Sequence, residues 1–284
     1  MALGEGVWGS IVKGTHWSLT PSPNPSSTRQ PMILAADNLQ IFNPLVAQSL
    51  EAGNPGPLQD LARLCREAGA TLLDINPGFL SKRHQERMAF MVEAVQEAVD
   101  LPLILDSPEA GVLAKGLAAC RTKPILNALT LEPKKLEEIL PLAAAHQTDL
   151  VLLLLDERSY PAPTLEGKIA LAVELQERAL AAGLGPEQLI FDPVLPNLSW
   201  PDAWEQVREC VKAVRLLAAG AVFPEPARTM AGLSNLRSHL RRVYPLEVEM
   251  TCLAMLAGAG LSIALADVLQ PGFKERTKLI RELS

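Results

Sequence analysis

The chain has 284 residues, a formal net charge of −6, and an apolar fraction of 48% against an aromatic fraction of only 4%. The acidic balance and the lack of a long basic run argue against a nucleic-acid partner, because nucleic-acid binding relies on clustered Lys and Arg. The four cysteines lie far apart, without a Cys-x-x-Cys pair or a nearby His, so we expect reduced thiols, no bound metal and a cytoplasmic protein.

The first 30 residues differ in composition from the rest. They end in SLTPSPNPSSTRQ, a tract rich in Pro, Ser and Asn that offers little to bury. We therefore expect residues 1–30 to be a partly flexible N-terminal extension and residues 31–284 to be a single domain. The longest apolar stretch, residues 252–266, is shorter than the roughly 20 residues of a bilayer span. It predicts a buried helix followed by a strand, and no membrane segment.

From Pro31 onward, short apolar runs alternate with longer segments that carry apolar residues at helical spacing. The runs predict eight strands, and each run ends in Asp or Asn. In chain order they are PMILAADN, ATLLDIN, LPLILDS, PILNA, DLVLLLLD, LIFDP, TMAGLSN and LSIALAD, and the polar ends are Asp37, Asp74 with Asn76, Asp106, Asn127, Asp156, Asp192, Asn235 and Asp267.

Eight helices are predicted between and after these strands, with Ser107 as the expected N-cap of the third. Eight strands alternating with eight helices predict an α/β fold, a (β/α)8 TIM barrel. A doubly wound open sheet would also alternate, but no Gly-rich turn follows the first strand. The helical segments are PLQDLARLCREAGA, KRHQERMAFMVEAVQEAV, SPEAGVLAKGLAAC, PKKLEEILPLAAAH, LEGKIALAVELQERALAAG, WPDAWEQVRECVKAVRLLAAG, PLEVEMTCLAMLAGAG and FKERTKLIREL.

The polar strand ends would meet at one mouth of such a barrel, where the active sites of this fold lie. A carboxylate there can accept two parallel N–H bonds from a planar, amidine-like edge, and a pterin presents that edge. The residues also have structural interpretations. Asp106 can cap a helix, at even odds, and Asn76 and Asp192, which each precede a proline, can start turns.

An ordered set of motifs resembles the methyltetrahydrofolate:corrinoid (iron-sulfur) protein methyltransferases, a pterin-binding barrel family related to dihydropteroate synthase. The set is GNPGPLQDLARLCREAGATLLDINPG, LILDS, FDPVLP, and GLSN followed by CLAMLAGAGLSIALAD. The resemblance implies that Asp74 and Asp192 bind the pterin ring and that Asn235, next to Ser234, bonds near N5 and is catalytic. It places Asn76, Asp106 and Asn127 in supporting positions of the substrate pocket.

The implied reaction moves a methyl group from N5 of methyltetrahydrofolate to the Co(I) centre of a corrinoid held by a separate partner protein. The resemblance also implies a homodimer. N5 is a poor leaving group, so the transfer needs hydrogen-bond or proton stabilisation of N5 as the C–N bond breaks, and the Asn235 amide can supply part of it. Because Co(I) is the nucleophile, no Ser or Cys nucleophile is required.

Three positions depart from the family pattern. Pro108 and Glu109 stand where the family has an Asn that touches the pterin. Ala128 follows Asn127 where the family has Ser or Thr. The first strand lacks the family's Glu-Arg-Ile-Asn segment, so that only Asp37 or Asn38 can stand in. We expect Asp37, Asp156 and Asp267 to be strand-end polar residues without a role in the site.

Two other functions remain open: a dihydropteroate synthase-like enzyme and a non-catalytic pterin- or folate-binding protein. The synthase needs basic residues after the last strands to hold a diphosphate, and ALADVLQPG has none. The four His residues are isolated and predicted to be surface or helix-end residues, although His239 can line the rim. The cluster of Arg237, Arg241 and Arg242 predicts a solvated face, or else a contact for a folate glutamate tail or an acidic partner.

Overall fold

A computed structural model of the protein describes residues 31–78, 84–238 and 244–282. The expected extension, residues 1–30, lies outside the described residues. The same holds for His239, Arg241 and Arg242, which the sequence places near the rim. All eight predicted strands and the polar residues at their ends are within the described part.

The strands form a closed barrel in which each strand pairs in parallel with the next, and the first pairs with the last. The predicted (β/α)8 barrel is therefore confirmed. The strands are β1 (Ile33–Gln40), β2 (Leu72–Asn76), β3 (Leu103–Asp106), β4 (Ile125–Leu129), β5 (Asp149–Leu153), β6 (Leu189–Asp192), β7 (Arg228–Gly232) and β8 (Ile263–Ala266).

Nine α-helices are described, one more than the sequence patterns predicted. The predicted segments correspond to the second to ninth helices, including the helix that runs into the last strand. The helices are α1 (Pro44–Ala52), α2 (Gly56–Glu67), α3 (Glu86–Ala98), α4 (Ala110–Ala119), α5 (Pro133–His146), α6 (Leu165–Ala181), α7 (Ala203–Ala218), α8 (Leu246–Ala259) and α9 (Phe273–Glu282).

Helix α1 is the element that the sequence patterns missed, although its end signals are present. Asn43 is the N-cap, and its side-chain oxygen accepts the backbone N–H of Leu45 at 3.0 Å. Pro44 occupies the first turn, and Gly53 ends the helix in the left-handed conformation at φ 61°. This is the usual placement of Pro at the start and Gly just past the end of a helix. With nine residues the helix is too short to show a clear apolar repeat.

The barrel interior explains why the acids lie at one end. A compact cluster of apolar side chains from all eight strands is buried apart from the larger core that the helices cover. Side chains of a strand alternate between its two faces, so residues two apart point to the same side. The interior residues Ala35, Leu72, Ile104 and Ile190 each stand two positions before an acid. The next inward layer toward the mouth therefore consists of Asp37, Asp74, Asp106 and Asp192.

Cys65, Cys210 and Cys252 are buried and Cys120 is half-buried, and all four are free thiols, as expected. Within the described ranges, the structure has no helix that is long and apolar enough to cross a membrane.

Candidate active site

A cavity of about 610 Å³ opens at the carboxyl ends of the strands, inside the ring of loops that follow them. Such a volume suits a small-molecule ligand. The structure brings all the residues predicted to bind substrate into the wall of this one cavity. They are Asp74, Asn76, Asp106, Asn127, Asp192, Ser234 and Asn235.

Asn76 joins the ends of two neighbouring strands. Its Nδ2 donates to Asp106 Oδ2 at 2.8 Å, and its Oδ1 accepts the backbone N–H of Gly78 at 2.9 Å. Gly78 has φ +78°, and a Cβ there would lie 2.6 Å from Ile41 Cγ2, so the turn requires glycine. Asn76 therefore starts a turn, as its structural interpretation proposed, and also orients the Asp106 carboxylate. Asp106 itself caps no helix.

Asp74 lies at the centre of the acidic layer and is 2% exposed. Burial, helped by the negative charges of Asp106 and Asp37, holds the pKa of Asp74 well above its ordinary value. Its Oδ1 has no hydrogen-bond partner among the described residues. A buried acceptor without a partner is costly, so this atom is prepared to accept an N–H from a ligand.

Burial also raises the pKa of Asp106, but other groups oppose the rise. Burial raises its pKa to about 6, while the hydrogen bond from Asn76 and the charge of Lys135 act in the opposite direction. Next to it on β4, Asn127 is 7% exposed and its Oδ1 also lacks a partner among the described residues. The β2–β4 part of the mouth thus offers several buried acceptor atoms.

Asp192 sits in a tight turn, residues 192–194, which we call the Asp192 turn. Its Oδ1 accepts the backbone N–H of Val194 at 2.8 Å, and Val194 has φ +58°. Burial raises the pKa of Asp192 to about 7, opposed by this N–H, by the charge of Lys168 and by the backbone of Gly232. The carboxylate is 3% exposed and lines the cavity.

Ser234 and Asn235 lie in a 3₁₀ helix, Leu233–Arg237, that directly follows β7. Two contacts from the loop after β6 brace this helix. The Leu198 N–H donates to the Leu236 carbonyl at 2.9 Å, and Asn197 Nδ2 donates to the Ser238 carbonyl at 2.5 Å. The half-buried Asn235 amide is therefore presented to the cavity by a loop that two contacts hold against the loop after β6.

The expectation that Asp37 has no place in the site was wrong. Asp37 lines the cavity, is 5% exposed, and its Oδ2 has no partner among the described residues. Burial and the charge of Asp267 raise its pKa to about 6, opposed by a hydrogen bond from Ser234. The neighbouring Asn38 turns away, because its Nδ2 donates to Asp267 Oδ1 at 2.6 Å. Of Asp37 and Asn38, the two candidates on the first strand, Asp37 is thus the one that lines the cavity.

Asp156 is placed differently from Asp37. Asp156 does not line this cavity, and its Oδ1 accepts the backbone N–H groups of Arg158 and Tyr160, each at 2.9 Å. It therefore closes a turn. Asp267 lines a second cavity of about 590 Å³ beside the first, together with Asp37 and Arg237.

Arg237 is not part of a solvated face, and that prediction is corrected. Its Nε lies 2.9 Å from Glu249 Oε2, and its side chain is 31% exposed. A second contact, 4.0 Å long, joins it to Asp267 Oδ2. Glu249 is buried, which raises its pKa to about 7 against the charge of Arg237. An arginine is held here because a buried glutamate needs a partner.

Ser107 is also corrected as a helix cap. Glu109 is the N-cap residue of α4 and makes no side-chain capping bond, while Ser107 Oγ accepts the Glu109 N–H at 3.2 Å. Ser107 and Pro108 line the cavity, whereas Glu109 does not. The departure at Glu109 therefore places a carboxylate outside the cavity wall, and the departure at Ala128 places a methyl group in it.

The sequence reasoning missed two cations in the cavity wall, Arg87 and Lys135. Both come from the first turns of helices, α3 and α5, and so carry no strand-end signal. Lys135 lies close enough to Asp106 to lower its pKa. The mouth is therefore less purely acidic than the strand ends suggest. No group of three or more His, Cys, Asp or Glu side chains within the described residues could hold a metal ion.

A (β/α)8 barrel whose mouth carries buried carboxylates and amides, with acceptor atoms free for N–H donors, is the architecture of a pterin-binding barrel. The comparison with family models agrees. Residues 50–265 match the model described as "Pterin binding enzyme", so the chain belongs to the pterin-binding enzyme family.

Several individual proteins are also similar to this chain. A "Methylcorrinoid:tetrahydrofolate methyltransferase" from Eubacterium limosum is 27% identical over 230 residues, which is 80% of this chain and 82% of that protein. Among solved structures, a Yersinia pestis dihydropteroate synthase (DHPS) with a pterine-sulfa conjugate has a TM-score of 0.63 and 18% identity, covering 90% of this chain and 94% of that one. A dihydropteroate synthetase with a bound product has a TM-score of 0.65 and 19% identity, over 89% and 93%. These structures support the fold.

Proposed function

We propose that the protein is a methyltransferase that moves a methyl group between N5 of tetrahydrofolate and the cobalt of a corrinoid carried by a partner protein. The observation that carries the proposal is a carboxylate oxygen of Asp74 in the wall of the mouth cavity that has no hydrogen-bond partner in the described part of the chain. A buried acceptor of this kind favours a ligand whose ring edge presents N–H donors. A pterin has that edge.

The proposed roles follow from the contacts. Asp74 and Asp192 accept N–H bonds from the pterin, and the Asn76–Asp106 pair and Asn127 complete the ring pocket. Asn235 and Ser234 lie in the loop after β7, across the mouth from the β2–β4 residues and beside Asp192 on β6, and we place N5 there. These role assignments follow the family resemblance, and the shared cavity supports them.

Methyl transfer at N5 suits a site that places an amide beside N5. In the direction of methylcorrinoid formation, Co(I) supplies the electron pair for the new Co–C bond, and N5 keeps the pair of the broken C–N bond and takes up a proton. An amide that hydrogen-bonds N5 more strongly as this pair develops lowers the barrier. The name of the Eubacterium relative gives the methylcorrinoid as donor. Both directions cross the same transition state, so the same residues serve either.

A dihydropteroate synthase-like reaction is the second candidate, and Arg87 and Lys135 in the cavity wall are what favour it. Two cations can bind a diphosphate leaving group. Against it, the arginine after β7 is already paired with Glu249. A folate-binding protein that catalyses no reaction is the third candidate.

One set of assays separates the three candidates. The protein is mixed with methyltetrahydrofolate and reduced cobalamin, and loss of the Co(I) absorbance is followed. Consumption of Co(I) that requires the protein is the expected result. Binding of methyltetrahydrofolate without consumption, in the presence of corrinoid proteins as well, supports the binding protein. Condensation of a pterin diphosphate with p-aminobenzoate supports the synthase.

A further inference from the structure

Lys168, in the first turn of α6, is a lysine in an unusual place. It is 0% exposed, although lysine is almost never fully buried without a partner. The sequence gives no sign of this, because a lysine in an amphipathic helix normally lies on the solvent face. The cost of removing an ammonium group from water means that its surroundings compensate it.

The partner of Lys168 is the turn that carries Asp192. Lys168 Nζ donates to the Pro193 carbonyl at 2.8 Å. Cys210 on α7 approaches the same turn, with its Sγ 3.6 Å from the Pro193 carbonyl and 3.5 Å from the Val194 carbonyl. Side chains from two helices therefore hold the Asp192 turn from the side opposite the cavity.

The turn needs such support. Val194 is β-branched and has φ +58°, a conformation that β-branched residues rarely adopt. Strained residues of this kind persist where the surrounding structure holds them. The strain has a use here, because it directs the Val194 N–H to Asp192 Oδ1, at 2.8 Å. The carboxylate is thereby fixed where it lines the cavity.

The charges around Asp192 show a second role for Lys168. The groups that act on the Asp192 carboxylate are the Lys168 ammonium from α6 and the backbone N–H groups of Val194 and Gly232, while burial opposes them. From α7 comes the Cys210 thiol, whose pKa burial raises to about 11, so it is neutral at physiological pH. Lys168 is the only cation among the described groups that act on Asp192.

We propose that Lys168 is a positioning residue: its hydrogen bond to the Pro193 carbonyl holds the Asp192 turn, and its charge favours the ionised form of the Asp192 carboxylate, which accepts the N–H donors of a pterin. The acceptance of pterin N–H donors rests on the proposed function. The hydrogen bond to Pro193 and the effect of the Lys168 charge on Asp192 do not, because both concern the free protein.

The test uses the full chain labelled with ¹³C at the aspartate carboxyl carbon, with the Asp192 signal assigned from Asp192→Asn. Lys168→Gln removes the charge but keeps an N–H donor, Lys168→Met removes both, and Lys168→Arg keeps the charge. Cys210→Ala is the matched control, because it changes a neutral contact to the same turn. We expect the titration midpoint of Asp192 to rise by about one pH unit in Lys168→Gln and Lys168→Met, and to stay near the wild-type value in Lys168→Arg and Cys210→Ala.

Folate binding then gives the functional readout. At a pH below both midpoints a shift of one unit weakens methyltetrahydrofolate binding by about tenfold, and the loss disappears at a pH above both midpoints. An unchanged Asp192 midpoint in folded Lys168→Gln would overturn the proposal, even if Lys168→Met does not fold. Because the titration needs no ligand, a wild type that fails to bind folate would refute the proposed function and leave this result standing.

Discussion

On the β2–β4 side of the barrel mouth the buried acids lie next to amides, whereas on the β7–β1 side an arginine lies among them. Asp106 accepts a hydrogen bond from Asn76, and Asp74 and Asn127 each keep an oxygen without a partner among the described residues. On the other side Arg237 lies 2.9 Å from Glu249.

This difference suggests that the two sides of the mouth have different roles. The β2–β4 side keeps acceptor atoms for a ligand, and a buried polar atom without a partner is a destabilising feature that a ligand can remove. On the β7–β1 side Arg237 pairs with Glu249, although Asp37 Oδ2 keeps no partner among the described residues, and the Arg237 contacts help to fix the loop that carries Asn235. Binding and catalysis are then separable by substitution, and the following predictions test this separation.

The largest effect is expected for Asn235→Ala. Removal of one preorganised hydrogen-bond donor typically slows a reaction by about 100- to 1,000-fold. We expect methyl transfer to slow by that factor in single-turnover assays, while the Kd for methyltetrahydrofolate changes less than about tenfold. Asn54→Ala, at an exposed amide outside the cavity, is the control. Equal losses in rate and binding would mean that Asn235 only binds the substrate.

Asp74→Asn tests the β2–β4 side of the mouth. The substitution removes the negative charge and replaces one acceptor oxygen with an NH₂ donor that faces the N–H donors of the pterin. Two charge-assisted hydrogen bonds are therefore lost or weakened, at about 1.5 kcal/mol each, and methyltetrahydrofolate binding should weaken by about 100-fold in calorimetry. The free protein should not lose stability, because the substitution removes a buried charge close to two others. Asp156→Asn, also an acid after a strand but outside this cavity, should leave binding within about threefold. Unchanged binding in Asp74→Asn would remove the β2–β4 side from the site.

The stability of the free protein should depend on pH through Asp37 on β1 and Asp192 on β6. The pKa values of Asp37 (about 6) and Asp192 (about 7) lie above the ordinary value, so the stability they contribute is present at low pH and is lost as pH rises through 6 to 7. We expect wild type to lose on the order of 5 °C in Tm across this window, relative to Asp37→Asn/Asp192→Asn.

Folate binding should have the opposite trend with pH, because ionised carboxylates are the better acceptors. Saturating methyltetrahydrofolate should therefore flatten the fall in Tm. If wild type and the double variant have the same pH dependence, these acids do not carry raised pKa values.

The smallest effect is expected for Ala128→Ser, which restores a hydroxyl at a position in the cavity wall. A hydrogen bond of this kind contributes about 1 kcal/mol net, so binding should tighten by less than about tenfold. Ala144→Ser, on α5 and outside the cavity wall, is the control. A larger gain would show that the β2–β4 side lacks a donor that the ligand needs.

The sequence predicted the barrel well because its signals are local. Each strand is a short apolar run with a polar end, and Asp74 and Asp106 follow interior residues Leu72 and Ile104 at the two-residue spacing of a strand. Helix α1 was not predicted because its nine residues make only about two and a half turns, too few to show an apolar repeat.

The relative importance of the strand ends could not be predicted, because it depends on barrel closure. Asp37 and Asp156 look alike in the sequence, yet one enters the acidic layer and the other closes a turn. Arg87 and Lys135 reach the cavity from helices, and Lys168 is buried by the turn that it supports. Contacts between residues far apart in the chain decide all of these cases.

The most direct test of the account follows the methyl group itself. Methyltetrahydrofolate labelled with ¹³C in the methyl group is mixed with the protein and reduced cobalamin, and the ¹³C signal is observed. We predict that the label leaves N5 and appears as a Co–CH₃ signal, and that Asn235→Ala slows this change while still binding the folate. A label that stays on N5 while calorimetry shows the folate bound, with corrinoid proteins present as well, would contradict the assignment as a methyltransferase.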